Sequence, residues 1–245
     1  LAIAHAGKGE SGKARAAFEE ALQKEPGNPS AAINLASMAL NEDDPDTARG
    51  YYEQVLAQHP DHAETLLRMA SLESREGNQA AARARLQEAV EKNPGALQPQ
   101  VALGRFQLQA GEPLQAVETL RGAPERYAGH PALLAVLGEA QLAASETANA
   151  VTTLERLVET QPASAQAHYR LASAYGAGRN IADAKRELLA GMRIDPDDVT
   201  ASWLMTMVSS LQSEMEAKNA WVEELKGSYP EHPQVLDLEA QLALK

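Results

Sequence analysis

Proline stands at positions 26, 60, 94, 162, 196 and 230, and every interval is 34 residues or twice 34. A fixed period held over some two hundred residues, with no insertion or deletion, is the mark of a tandem repeat. The absent member falls at 128, where Ala128 stands inside Tyr127-Ala128-Gly129-His130, so the register continues where the proline does not. A repeat array has no single core and adds buried surface one repeat at a time, so the length of 245 residues counts repeats rather than globular domains.

If each repeat begins three residues after its proline, complete repeats run 29–62, 63–96, 97–130, 131–164, 165–198 and 199–232. Residues 1–28 then hold the end of a first helix and a full second helix, and residues 233–245 one more first helix. Counted from the start of each repeat, the seventh position is Leu35, Met69, Leu103, Leu137, Leu171 and Met205, and the eighth is Ala36, Ala70, Gly104, Gly138, Ala172 and Thr206. The twentieth is alanine at 14, 48, 82, 116, 150 and 184, and the twenty-fourth is Phe18, Tyr52, Leu86, Leu120, Leu154 and Leu188. Small against large at helical spacing predicts two helices per repeat in close contact. Gly9, Gly77 and Gly111, with Asp43 and Ser145 in the same register, suit a left-handed residue in the turn between them. The periodic proline stops each second helix. Short polar residues two places later, such as Asn28, His62, Ser164 and Asp198, are placed to cap the next helix.

Built this way, the chain resembles the tetratricopeptide repeat family, and QPASAQAHYRLASAYGAGRNIADAKRELLAGMRIDP (161–196) is the stretch most similar to its consensus. The resemblance spans essentially the whole chain. It implies an all-α fold, an α-solenoid wound as a right-handed superhelix of helix-turn-helix repeats. The family uses its fold as a scaffold, so function has to be argued from the site.

Two repeats depart from the pattern. Pro124 falls inside the second helix of 97–130, which is expected to end early or kink. Pro99 and Pro113 each fall in a first turn, where proline is tolerated. In 199–232, Lys218 takes the twentieth position and Ser210 and Ser213 surround the inner turn, so looser packing is expected. Four methionines, Met192, Met205, Met207 and Met215, gather here with Trp203 and Trp221, either as filling for a degenerate repeat or as an adaptable binding surface.

Composition excludes several kinds of function. A net charge of −12 with no basic block of five residues argues against nucleic acid or an anionic membrane as partner. No apolar run approaches the ~20 residues that span a bilayer, so direct membrane insertion by this chain is not expected. Cysteine is absent, which removes disulfides and thiolate metal sites and fits the cytosol as well as the periplasm. His62, His130 and His232 share the last position of a repeat and His59 lies in such a turn, which reads as capping rather than metal binding, while His168 reads as packed between repeats. No nucleophile with a base and no phosphate-binding glycine loop can be found, so neither enzyme chemistry nor a cofactor is expected.

The family binds protein or peptide partners along a concave groove lined by positions two, five, nine and twelve of the first helices. Carried onto this sequence, the rule selects Ser30, Ile33, Ser37 and Leu40; Glu64, Leu67, Ser71 and Ser74; Gln98, Val101, Arg105 and Leu108; Ala132, Ala135, Glu139 and Leu142; Gln166, Tyr169, Ser173 and Gly176; and Thr200, Trp203, Met207 and Ser210, with Leu67, Val101, Arg105, Glu139, Tyr169, Trp203 and Met207 as the principal contacts. Asn34 and Arg68 match the pattern of the carboxylate clamp found in chaperone-binding members, but Glu64 stands where that clamp needs lysine and Ile3 where it needs asparagine. Position six reads Asn34, Arg68, Ala102, Val136, Arg170 and Leu204, so the asparagine ladder of sugar-transferase members is lacking.

The Ala, Leu and Gln-rich texture of QPASAQAHYRLASAYG and YPEHPQVLDLEAQLAL is similar to bacterial repeat lipoproteins of the PEP-CTERM and exosortase system, which are linked to exopolysaccharide production and protein sorting. That likeness implies a periplasm-facing, outer-membrane-anchored parent. A chain that opens on Leu1 in mid-helix reads as an internal piece of it. Two other readings stand beside the groove-binding scaffold. One is a repeat arm of a larger polysaccharide-export machine or enzyme complex. The other is a spacer that self-associates through the apolar faces of its open ends.

Overall fold

In the computed structural model, residues 11–195, 222–223, 225–227, 230–231 and 233–243 are described. They form helices and turns, with no strand among the described residues. The helices are α1 (Ser11–Lys24), α2 (Pro29–Asn41), α3 (Pro45–Gln58), α4 (Ala63–Arg75), α5 (Gln79–Lys92), α6 (Leu97–Gln109), α7 (Pro113–Arg121), α8 (Pro131–Ala143), α9 (Thr147–Thr160), α10 (Ala165–Ala177), α11 (Ile181–Ile194) and α12 (Pro233–Ala243). Helix starts at 29, 63, 97, 131 and 165, and at 45, 79, 113, 147 and 181, follow one another 34 residues apart. The fold is thus a tandem series of helix hairpins. The chain divides into two compact units, one of residues 1–106 with 122–124 and one of 107–121 with 125–245.

The caps lie where the periodic residues put them. Asn28 accepts from the Ala31 N–H at 3.0 Å, Ser164 from the Ala167 N–H at 3.3 Å, His62 Nδ1 from the Thr65 N–H at 3.2 Å and His130 Nδ1 from the Ala132 N–H at 3.2 Å. His232 and Asp198 lie outside the described residues. The inner turns take one left-handed residue each: Asp43 (φ 60°), Gly77 (84°), Gly111 (76°), Ser145 (63°) and Arg179 (59°). Glycine, aspartate and serine were expected there; arginine at 179 was not, and with its Cβ and long side chain it carries the steric cost of that region.

Inside each hairpin the alanine row is fully buried, at 0 or 1% exposure from Ala14 to Ala184. Gly138 shows how tight the eighth position is: a Cβ there would stand 2.6 Å from Leu154 Cγ, so only glycine admits that leucine. In the first unit, Ile33, Ala36, Ala39, Ala48, Tyr52, Met69 and Leu72 form one cluster. In the second, Leu134, Ala150, Leu154, Leu157, Ala167, Leu171 and Ala174 form another. Helix α7 stops at Arg121, and a 3₁₀ turn, Glu125–Tyr127, follows Pro124, so the expected early end is present. Gln100 donates Nε2 to the Gly122 carbonyl at 3.1 Å and holds the chain where the helix is missing.

Candidate partner-binding groove

On the first unit, α2 and the start of α4 enclose a groove of about 500 Å³ lined by Asn28, Pro29, Ser30, Ile33, Asn34, Ser37, His62, Glu64 and Arg68. These are cap residues and positions two, five, six and nine of two successive first helices. A first helix spends its apolar stripe on the hairpin core, with Ala32, Leu35, Ala36 and Ala39 all nearly inaccessible, and leaves Ser30, Asn34 and Ser37 on the other side. Helical periodicity therefore lines the groove with short polar groups.

Its hydrogen bonds are largely local. Asn34 donates Nδ2 to the Ser30 carbonyl at 2.8 Å, and Ser37 donates Oγ to the Ile33 carbonyl at 2.8 Å. Arg68 places Nε and Nη2 at 2.9 and 2.8 Å from the same Glu64 oxygen, an ion pair one helical turn apart. Near it lies Tyr52, 1% exposed, whose phenol burial pushes up while the positive charge of the Arg68 guanidinium pulls the other way. Ser37 and His62, the groups that could suggest chemistry, are engaged with their own helix rather than with each other.

The seven principal residues expected to contact a partner are placed differently. Leu67 and Val101 are half-buried, and Leu67 packs against the Ala70, Leu86 and Leu103 cluster. Arg105 is exposed. Glu139 is exposed and pairs with Arg170 Nε at 2.5 Å. Trp203 and Met207 lie outside the described residues. Tyr169 is a correction: rather than facing a partner it is 1% exposed, packs with Ala184, Leu188 and Met192, and donates its hydroxyl to the Asp195 carbonyl at 2.8 Å. The reason is Gly191, where a Cβ would run into the tyrosine ring. Without a side chain at 191, the ring folds down onto the second helix. The signal was in the sequence, since the same register holds Val55, Ala89 and Leu157 in other repeats. Met192 likewise belongs to the core. None of the five that are described lines this groove; its lining repeats their register around α2 and α4.

His168 is buried as expected, with Nδ1 2.8 Å from Glu187 Oε2 and Nε2 3.1 Å from the Pro162 carbonyl. Among the described residues no group of three or more His, Asp or Glu is gathered to hold a metal. No described helix is long and apolar enough to cross a membrane.

Family models described as tetratricopeptide repeat match residues 1–63, 73–140 and 141–207. The comparison with curated proteins gives no match. Among solved structures, the C-terminal part of a repeat-containing protein from Cytophaga hutchinsonii aligns over 97% of this chain and 97% of its own, with a TM-score of 0.70 at 14% identity. PilW, described as a widely conserved type IV pilus biogenesis factor, aligns over 85% of this chain and 97% of its own, with a TM-score of 0.66 at 15% identity. YrrB, described as having an unusual peptide-binding site, covers 76% of this chain and 95% of its own, with a TM-score of 0.59 at 18% identity. At such identities the likeness speaks for the fold alone.

Proposed function

The chain belongs to the tetratricopeptide repeat family, and from that footing we propose that it is a non-catalytic scaffold holding a segment of a protein partner against its first helices. The observation that carries this is the groove between α2 and α4, whose lining offers hydrogen bonds and a neutralised ion pair, with its serine and histidine bound to their own helices. Its size falls within the range of about 300–1,000 Å³ usual for ligand sites. YrrB, similar in fold, is described by its peptide-binding site. Asn34→Trp is the test. Asn34 is half-exposed, so an indole there fills the groove without entering the core. Proteins captured from envelope and cytosolic extracts by the wild type and lost by this variant, at unchanged helicity, are the expected result. Equal capture by both overturns the proposal.

We further propose that the parent is a bacterial envelope protein linked to exopolysaccharide or protein sorting, lipid-anchored and facing the periplasm. The Ala, Leu and Gln-rich texture supports this, and so does the likeness in fold to a pilus biogenesis factor. Fractionation of cells expressing the native gene decides it: recovery in the soluble cytosolic fraction would sink the envelope reading.

A further inference from the structure

Resting on the groove reading, we infer that the occupant of the α2–α4 groove is an uncharged polar protein segment, and that the acidic excess of the chain plays no part in holding it. The chain carries a net charge of −12, which at first sight points to a basic partner. The charges are placed elsewhere. Helix α2, PSAAINLASMALN, has no ionisable side chain along its whole length. Helix α4 brings Glu64 and Arg68 to the groove, and they neutralise each other, with two guanidinium nitrogens on one carboxylate oxygen. The second unit, taken by itself, repeats the arrangement. Helices α8 and α10 carry one carboxylate and one guanidinium, Glu139 and Arg170, and these are paired at 2.5 Å. The second helices and turns hold far more charge: α1 alone carries Lys13, Arg15, Glu19, Glu20 and Lys24.

The free valences of the lining say what a guest should carry. Asn34 spends one of its two amide N–H groups on the Ser30 carbonyl and keeps the other together with its oxygen, and Ser37 spends its O–H on the Ile33 carbonyl and keeps its lone pairs. The groove therefore offers acceptors to N–H and O–H groups and, through Asn34 and the remaining guanidinium N–H groups of Arg68, donors as well, which suits a side chain that both donates and accepts. A lysine or arginine entering it gives up hydration for a carboxylate already paired, and an acidic side chain gives up hydration for a guanidinium already paired. Either charge is desolvated without a net counter-charge, and a hydroxyl or carboxamide is not.

Selection from a random peptide display library separates the outcomes, with groove binders defined as peptides retained by the wild type and lost by Asn34→Trp. The expected groove binders have net charge near zero and are rich in Ser, Thr, Asn and Gln. Their affinity changes by less than about twofold on raising salt to a level where the Debye length is only a few Å. Glu64→Gln, a substitution at an exposed side chain that frees Arg68, is expected to shift selection toward acidic peptides, with circular dichroism showing the fold retained. Groove binders rich in lysine and arginine whose affinity collapses in salt overturn the inference while leaving the groove reading intact. So do acid-rich groove binders from the wild type, or a Glu64→Gln protein with unchanged selection. If no peptide is lost by Asn34→Trp, the groove reading itself fails.

Discussion

Tyr169 and Gly191 occupy one space between them. The ring covers the glycine so closely that a methyl group there meets it at van der Waals overlap. Gly191→Ala is therefore expected to destabilise by about 1–3 kcal/mol through overpacking, despite alanine's better helix propensity. Tyr169→Leu should lose stability too. The double variant should lose less than the sum of the two, because the smaller side chain leaves room for the methyl. Urea unfolding of the four proteins checks this, and additive effects would show that the two residues do not share a site. Gly138→Ala belongs to the same class: the new Cβ meets Cγ of the buried Leu154 rather than the far end of a free side chain, and about 1–2 kcal/mol should be lost.

At the scale of the element, caps and inter-hairpin ion pairs set where each helix starts and how firmly it is held. Ser164→Ala removes the hydroxyl that caps α10 and should cost about 1 kcal/mol, seen as fraying of its first turn by amide exchange. Arg49 of α3 binds Glu73 of α4 and Glu76, the residue that caps its C-terminus, and Asn78 donates to Glu73 at 3.1 Å. Burial raises the Glu73 carboxyl, but the Arg49 and Asn78 hydrogen bonds outweigh it and leave the group below its ordinary value. A carboxylate depressed on folding contributes its stability above the unfolded value of about 4.3 and loses it as pH falls through the folded one. The wild type should thus melt at lower temperature as pH drops below about 4.3. Arg49→Met should lower Tm at neutral pH and flatten that acid limb; a limb of unchanged steepness would mean that Glu73 does not contribute to it. Arg15 and Glu42 repeat the Arg49–Glu76 pair one repeat earlier, but the Arg49–Glu73 pair has no such counterpart. Position eleven is Glu73 in one repeat but Gln107 and Gln141 in the next two, and those buried carboxamide oxygens have no donor.

Across the whole molecule, α7 is nine residues long where α3, α5 and α9, the second helices of other repeats, have 14, and stability should be uneven to match. Arrays of repeats open locally where neighbour contacts are poorest. Amide exchange is expected to be fastest, among the described helices, in α7 and the 3₁₀ turn that follows it. Protection of α7 equal to that of α9 would contradict this. Much of the molecule was legible because period, alanine row and turn residues all report local geometry, which a linear pattern records directly. Helix pairing, the capping roles of Asn28, His62 and Ser164, and the early end before Pro124 were read that way. The groove was legible only by register. Positions two, five and nine were identified, while Asn34 and Arg68 at position six were singled out only as matches to a carboxylate clamp that Glu64 and Ile3 break, because position six turns on which side chains its neighbours leave uncovered. Tyr169 was misplaced for a related reason: its direction depends on the volume of a residue 22 positions later, and no single helical wheel contains both.

That pairing of volumes bears on how such a gene can be rearranged. Tyr169 fits only over Gly191, and the small Ala135, in the same register, packs against the cluster that contains Leu157. Each hairpin is thus matched within itself more finely than its shared register implies. A crossover at the proline-bearing turns exchanges whole hairpins and keeps every such pair together. A crossover at the left-handed residue between two helices joins Tyr169 to Leu157, or Ala135 to Gly191, and leaves a clash in one product and a void in the other. Unequal recombination that lengthens or shortens the array should therefore survive selection when its breakpoints lie in the outer turns and be purged when they lie in the inner ones.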